Sequence, residues 1–152
     1  MEESRKLVLK NKKAGFNYHL YERFEAGIEL KGTEIKSIRN GKTSFKDSYV
    51  DEKNGELFVI NWHINPYEKG GYVNHEPERP KRLLLHKKEI IRLISKISQK
   101  GLTLVPISIY FKGKNLKMEI ALASGKKLYD KRDTLAKKDA IREMERSTKN
   151  MG

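Results

Sequence analysis

The feature that most restricts the fold is the alternation of apolar and polar residues between Tyr18 and Leu30. Even positions in this stretch are mostly apolar and odd positions mostly polar, and Glu22 is the one exception. Successive side chains of a strand point to opposite faces, so a period of two predicts one long strand with one buried face. The chain must therefore place one side of a sheet against a core.

Two hairpins are predicted from similar patterns. Residues 45–51 and 57–62 flank Lys53-Asn54-Gly55, in which Asn54-Gly55 would supply the positive φ angles of a tight turn. Residues 105–111 and 116–122 alternate on either side of the turn residues 112–115. The residues predicted to share one face of the first of these strands are Val105, Ile107, Ile109 and Phe111.

One helix is predicted over residues 83–98, because Ile90, Leu93, Ile94 and Ile97 recur at helical spacing and Gly101 follows as a C-terminal stop. The barrel needs these apolar residues, which argues against a membrane-binding helix. Residues 65–82 contain three prolines and a Gly-Gly pair without periodicity, and they predict a long surface loop.

Together these elements predict a mainly β fold with α: a small antiparallel OB-like barrel with flanking helices. Residues 15–124 would form the barrel, and residues 1–14 a basic arm that is mobile until a partner orders it. Residues 125–152 contain too few large apolar residues to bury a face. We expect them to form a basic tail that is disordered when free and helical when docked.

The charge of the chain indicates a polyanionic partner. Lys and Arg number 33 against 20 Asp and Glu, a formal net charge of +13, which favours nucleic acid or an anionic membrane. The chain has no cysteine, which excludes disulfides and cysteine-based zinc sites. The N-terminus has no long apolar run, so we expect a cytoplasmic protein.

A catalytic or metal site is not predicted. His19, His63, His75 and His86 lack the spacing of metal ligands. Asp47, Asp51 and Glu56 could form a carboxylate group for a nuclease or other hydrolase, but they fit the solvated edge of a hairpin better. Divalent-metal-dependent RNA cleavage would be needed to support that alternative. We expect no enzyme activity, no cofactor and no metal.

RNA binding requires clustered cations for phosphates and exposed aromatic or amide groups for unpaired bases. One basic cluster lies where the long loop meets the predicted helix, although an ordinary charged helix face is the alternative. Its members are Arg79, Lys81, Arg82, Lys87 and Lys88.

The tail carries a second basic pattern. Tyr129 stands between the pairs Lys126-Lys127 and Lys131-Arg132, an arrangement that suits stacking on a base beside phosphate contacts. Lys138, Arg142 and Arg146 recur every four residues, as on one side of a helix. Local ion pairs with Asp139 and Glu143 are the competing interpretation.

The chain resembles the small protein B family in a set of motifs that extends from the N-terminus into the tail. Their order and spacing carry the resemblance. The motifs are NKKA (11–14), FEAGIEL (24–30), GTEIKSIR (32–39), DSYV (47–50), RLLLH (82–86), GKK (125–127) and DKR (130–132).

The resemblance implies an adapter that binds the tRNA-like domain of transfer-messenger RNA in ribosome rescue, or trans-translation. It also implies the small-subunit decoding centre with its 16S ribosomal RNA and elongation factor Tu as partners of a monomeric protein. The tail would lie as a helix in the empty mRNA channel. The residues implied to bind transfer-messenger RNA are Asn11, Lys12, Glu25, Arg82, Leu84, His86 and Lys117. Those implied to bind the ribosome are Gly125, Lys126, Lys127, Tyr129, Asp130, Lys131, Arg132, Lys138, Arg142 and Arg146.

Charge and strand pattern alone leave a second hypothesis open, a general OB-type RNA-binding or ribosomal protein. Such a protein would bind unrelated structured RNAs with equal affinity at physiological salt.

Overall fold

The computed structural model describes residues 5–126, with only the backbone of Lys100. Within these residues the chain forms nine strands and three helices. In chain order they are β1 (Arg5–Lys10), α1 (Lys12–Asn17), β2 (Tyr18–Ile28), α2 (Gly32–Arg39), β3 (Thr43–Ser44), β4 (Tyr49–Lys53), β5 (Glu56–Ile60), β6 (His63–Ile64), β7 (Lys81–Leu84), α3 (Lys87–Lys100), β8 (Thr103–Lys112) and β9 (Asn115–Gly125). The predicted mainly β fold with helices is confirmed.

The main sheet is antiparallel, and its pairings return to their starting point. Following neighbours from β8 gives β4, β5, β7, β2 and β9, and β9 pairs with β8 again. β1 lies outside this ring, on the edge of β8. A ring of antiparallel strands is compatible with the OB-like barrel that the sequence predicted.

The alternation that predicted β2 describes its burial well. Tyr18, Leu20, Phe24 and Ala26 turn inward, whereas the odd positions up to Glu25 are exposed. The exception at Glu22 coincides with a register shift against β9 between Leu20 and Arg23. An unpaired extra residue at such a bulge is free to point to solvent, and Glu22 forms ion pairs with Arg92 and Lys96 of α3.

The single apolar face predicted for β8 is wrong. Its pairing with β9 shifts register between Pro106 and Ser108. Ile109 therefore belongs to the main core, whereas Val105 and Ile107 face a second, smaller cluster with Ala14 of α1. A bulge changes which parity faces the core, so one strand is buried on both sides.

Residues 5–14 differ from the mobile arm expected for residues 1–14. Arg5–Lys10 instead pairs antiparallel with β8 from Lys112 to Ser108, and α1 packs Ala14 against the barrel. The free edge of β8 supplies the hydrogen-bonding partner, a tertiary fact that basic composition does not reveal. The division at residue 124 stays a prediction, since residues 127–152 lie outside the described part.

The predicted helix over residues 83–98 is wrong at its start. Lys81–Leu84 forms β7, which bridges β2 and β5, and α3 begins at Lys87. The predicted apolar face and C-terminal stop are confirmed, because Leu93 is fully buried and Gly101 has a φ of 63°. No helix within residues 5–126 is long and apolar enough to cross a membrane.

Candidate nucleic-acid interface

The first groove, as we call it, is an open depression of about 800 Å³ between β2, β7, β9 and the start of α3. Five of the residues expected to bind RNA line it, although they come from distant parts of the chain. They are Glu25, Arg82, Leu84, His86 and Lys117. Strand pairing brings them together, since Gly27 pairs with both Leu84 and Lys117.

Gly27 permits β2 and β7 to approach closely at the floor of this groove. A Cβ atom at this position would lie 3.3 Å from Leu84 Cβ, which is tighter than an ordinary contact. Leu84 itself points outward and keeps 47% of its surface exposed. An exposed leucine in a groove offers an apolar contact for a partner.

Glu25 is a positioned carboxylate. The hydroxyl of Tyr110 donates a hydrogen bond to its Oε2, and Arg5 Nη2 lies 3.6 Å from the same oxygen. Lys112 Nζ lies 3.5 Å from Oε1. The Tyr110 hydrogen bond, followed by the charges of Lys112 and Arg5, lowers the pKa of Glu25, so the side chain is an ionised acceptor at neutral pH.

The surroundings of Tyr110 keep its phenol group protonated. Burial, and then its hydrogen bond to Glu25, raises the pKa of the Tyr110 phenol, so it remains a donor. The guanidinium carbon of Arg5 lies 5.2 Å from the centre of the ring, within range of a cation–π contact. β1 thereby reaches the edge of the groove through Arg5.

The cations of the first groove differ in how they are paired. Arg82 Nη2 lies 2.6 Å from Glu29 Oε2, and Arg82 Nη1 lies 3.9 Å from Glu56 Oε1. Among the described residues, no carboxylate lies within salt-bridge distance of Lys117. Lys117 therefore offers its charge to a ligand without first breaking an ion pair.

His86 stands at the N-terminus of α3. It is the N-cap residue, is exposed, and its backbone N–H donates to Glu89 Oε1 at 3.4 Å. The imidazole ring thus borders the groove at the positive end of a helix dipole, a position that suits an acceptor atom of a ligand.

Acidic and basic side chains are mixed along this groove. Glu25, Glu56 and Glu89 line it together with Arg82, Lys87 and Lys117. A carboxylate repels phosphate but accepts hydrogen bonds from ribose hydroxyls and base amino groups. The arrangement is suited to contacts with sugar and base edges beside a few phosphates.

Two residues expected in the same interface lie elsewhere. Neither Asn11 nor Lys12 lines the first groove. Asn11 joins the N-terminus to β8: its Nδ2 donates to Pro106 O at 2.8 Å and its backbone N–H to Ile107 O at 2.7 Å. Lys12 is exposed at the first position of α1.

The predicted basic cluster around the loop is only partly available to a ligand. Lys81 is fully buried, donates hydrogen bonds to Trp62 O and Pro77 O, and lies over the Trp62 ring. Burial lowers its pKa to about 8. Arg79 Nη2 lies 2.6 Å from the buried carboxylate of Glu34. The interpretation of Lys81 as a phosphate contact is wrong, because its ammonium group is buried, and a ligand of Arg79 would have to compete with Glu34.

Most of the expected ribosome-binding tail lies outside the described residues, from Lys127 through Arg146. Gly125 ends β9 opposite Tyr18. Lys126 continues this pairing, since its backbone N–H donates to Asn17 O at 2.9 Å and its Nζ to Gly15 O at 3.2 Å. The beginning of the tail is therefore attached next to α1.

The carboxylates considered for a hydrolase are not assembled into a metal site. Within residues 5–126, no three His, Asp or Glu side chains are grouped so that they could hold a metal ion. Glu56 faces Arg82, and Asp51 accepts a hydrogen bond from the neighbouring Glu52 N–H.

Sequence reasoning missed Tyr110 and Arg5 as parts of this interface. Tyr110 lies 85 residues from Glu25 along the chain, and no local pattern links them. Its position in a strand of alternating residues indicates only that it faces away from Ile109 and Phe111.

Comparison with known proteins identifies the family. A profile of the family described as SmpB protein matches residues 8–150. An SsrA-binding protein of Carboxydothermus hydrogenoformans is 55% identical over 142 residues, which are 93% of this chain and 95% of that protein. An SsrA-binding protein of Trichodesmium erythraeum is 53% identical over 148 residues, or 97% of this chain and 95% of the relative.

A solved structure agrees with these relatives. One chain of a structure described as "tmRNA-SmpB: a journey to the center of the bacterial ribosome" is 51% identical to this one. The match has a TM-score of 0.66 and covers 80% of this chain and 85% of the other. The profile match and the full-length identities agree on one conclusion: the chain belongs to the SmpB family of SsrA-binding proteins.

Proposed function

We propose that this chain is an RNA-binding adapter of trans-translation, which binds the tRNA-like domain of transfer-messenger RNA and delivers it to stalled ribosomes. The observation that supports this most is the convergence of Glu25, Arg82, Leu84, His86 and Lys117 in the first groove of a chain from the SmpB family. The relatives' name, SsrA-binding protein, supports the same RNA.

The groove would act by holding RNA and not by reacting with it. Lys117 would contact a phosphate, Leu84 would pack on a base or sugar, and Glu25 would accept hydrogen bonds from base or ribose donors. Elongation factor Tu would join the delivery complex, and a single copy of the chain would suffice. A ribosomal site of action implies a cytoplasmic protein.

A competition binding assay tests whether the chain prefers the tRNA-like domain to other RNAs. The full chain is titrated with the labelled tRNA-like domain at physiological salt, and unlabelled structured RNAs of equal length compete. Lys117→Gln should weaken binding about tenfold, because a charge-assisted contact contributes about 1.5 kcal/mol. Lys69→Gln, on an exposed lysine outside the groove, is the matched control. Equal competition by unrelated RNAs would instead favour a general RNA-binding protein.

The tail is the second part of the proposal. Residues from Lys127 onward would enter the decoding centre and the vacant mRNA channel, where Tyr129 would stack and the cations would contact ribosomal RNA. An intact message would occupy the same path, so only ribosomes with truncated messages would be engaged.

A truncation tests the tail. A chain that ends at Lys126 retains the backbone bond from Lys126 to Asn17 and the whole of β9. It should bind the tRNA-like domain as the full chain does but should not support tagging of stalled peptides. Loss of RNA binding in this variant would contradict the division between barrel and tail.

A further inference from the structure

A second groove lies at the β8–β9 turn, formed by β1, the end of α2 and the tip of the hairpin. Its volume is about 620 Å³, within the range of sites that hold small ligands. Three cations line it, namely Lys6, Arg39 and Lys114, and its lining contains no acidic residue. In this respect it differs from the first groove, where carboxylates and cations are mixed.

The three cations are exposed and are not neutralised by neighbours. Among the described residues, none of them has a carboxylate within salt-bridge distance. Arg39 instead lies over the ring of Phe111, with its guanidinium carbon 5.7 Å from the ring centre. Like charges collected in one concave surface repel each other, so an anionic occupant would stabilise the groove.

The rest of the lining is apolar. Leu7 is 59% exposed at the rim, and Val8, Phe111 and the buried Ile38 lie around it. An apolar surface between separated cations fits an unpaired nucleotide, whose base has two apolar faces and whose phosphates lie at its sides. A flat anionic membrane would not reach into a groove, so RNA is the better fit.

Sheet register places this groove beside the first one. Phe111 pairs with Lys6 on one side and with Leu116 on the other, and Lys117 of the first groove follows directly. Adjacent residues of a strand point to opposite faces of the sheet, so Phe111 and Lys117 lie on opposite faces and the two grooves are connected around the end of the hairpin. One RNA strand of a few nucleotides could contact both.

We propose that the second groove binds an unpaired nucleotide of the same RNA that occupies the first, with its phosphates on Lys6, Arg39 and Lys114 and its base against Leu7. This inference rests on the proposed function, because it takes the RNA of the first groove as the occupant. The nucleotide would extend the interface around the end of the hairpin.

The test measures binding of the tRNA-like domain to the full chain across a range of salt concentrations. In the variant Lys6→Gln/Arg39→Gln/Lys114→Gln, the slope of log K against log salt should become shallower by roughly 1.4, at about 0.7 for each of the two phosphates that flank one nucleotide. The matched control, Lys31→Gln/Lys42→Gln/Lys69→Gln, removes the same charge from exposed lysines outside both grooves. Its slope should stay near that of the unmodified chain.

A fluorescent reporter tests whether a nucleotide base lies against residue 7 in the second groove. Trp62 is the single native tryptophan and is fully buried, so RNA should not contact it or change its fluorescence. Leu7→Trp adds a second indole at the rim of the groove, where RNA can reach it. Stacking of a base should quench this indole when the RNA is added. The inference requires both results, and an unchanged slope or an unquenched indole overturns it.

Lys117→Gln separates the two proposals. If this variant weakens binding while the second-groove triple variant matches its control, only the further inference fails. If all variants bind the tRNA-like domain as the unmodified chain does, the proposed function of the first groove fails as well.

Discussion

Replacing Tyr110 with phenylalanine removes one hydroxyl group and leaves the ring that packs beneath Arg5. That hydroxyl donates to Glu25 Oε2. The other partners of the carboxylate, Lys112 and Arg5, lie 3.5 and 3.6 Å away, at the outer limit of a hydrogen bond. In Tyr110→Phe the carboxylate would therefore lose its one close partner and rotate more freely.

The expected loss of binding free energy follows from the negative charge of the acceptor, Glu25. A hydrogen bond to an ionised group contributes about 1.5–3 kcal/mol, and we take the lower end because Glu25 is partly open to water. A carboxylate that must be reordered before binding RNA would lose a similar amount of binding free energy. About 1.4 kcal/mol corresponds to a factor of ten, so we expect roughly tenfold weaker binding of the tRNA-like domain.

The assay is a double-mutant cycle with Glu25→Gln, read as the dissociation constant for the tRNA-like domain. If Tyr110 acts through Glu25, the two losses should be far from additive. Tyr72→Phe is the matched control, since Tyr72 is fully exposed and the chemical change is the same. Additive losses, or wild-type affinity in Tyr110→Phe, would refute the reasoning.

A pH titration gives an independent reading of the same contact. The pKa of Glu25 is lowered below its ordinary value of 4.5 in the folded state. Its contribution to stability is therefore present above pH 4.5 and is lost as the pH falls through the folded pKa. The stability difference between wild type and Tyr110→Phe should shrink below pH 4.5.

Three further predictions concern stability, measured by denaturant unfolding of the isolated protein. Burial lowers the pKa of Lys81 from 10.5 to about 8, so its contribution should make wild-type stability rise between pH 8 and 10.5; Lys81→Met should remove this rise, and an unchanged pH profile would contradict a buried amine. Leu93→Ala should lower the free energy of unfolding by about 2–5 kcal/mol, because Leu93 is fully buried. Ile91→Ala, at a side chain that is 59% exposed, should lower it far less. Equal losses would mean that α3 is oriented differently. Gly101→Ala should destabilise the chain by about 1 kcal/mol, because the residue has a φ of 63°. Gly15→Ala, at a helical glycine with open space around it, should not destabilise it. An unchanged stability of Gly101→Ala would argue against the left-handed end of α3.

Local sequence patterns predicted those elements whose form depends on nearby residues. The alternation in β2 and β9, the apolar face of α3 and its glycine stop each follow from a repeat that one segment carries by itself. The same patterns failed at β7 and β1. β7 spans the end of the predicted loop and the start of the predicted helix, because its leucines fit either a helix or a strand, and Arg5–Lys10 is too basic to resemble a strand.

The basic charge, the β-rich fold class and the family of the chain could all be inferred from its residues. The tertiary structure was needed to show that β1 pairs with β8, that a bulge near Ile107 divides β8 between two cores, and that Lys81 is an internal donor. It also placed Tyr110 against Glu25 and gathered three cations in a second groove. The physical reason is that register and burial depend on which strands meet, and those strands are far apart along the chain.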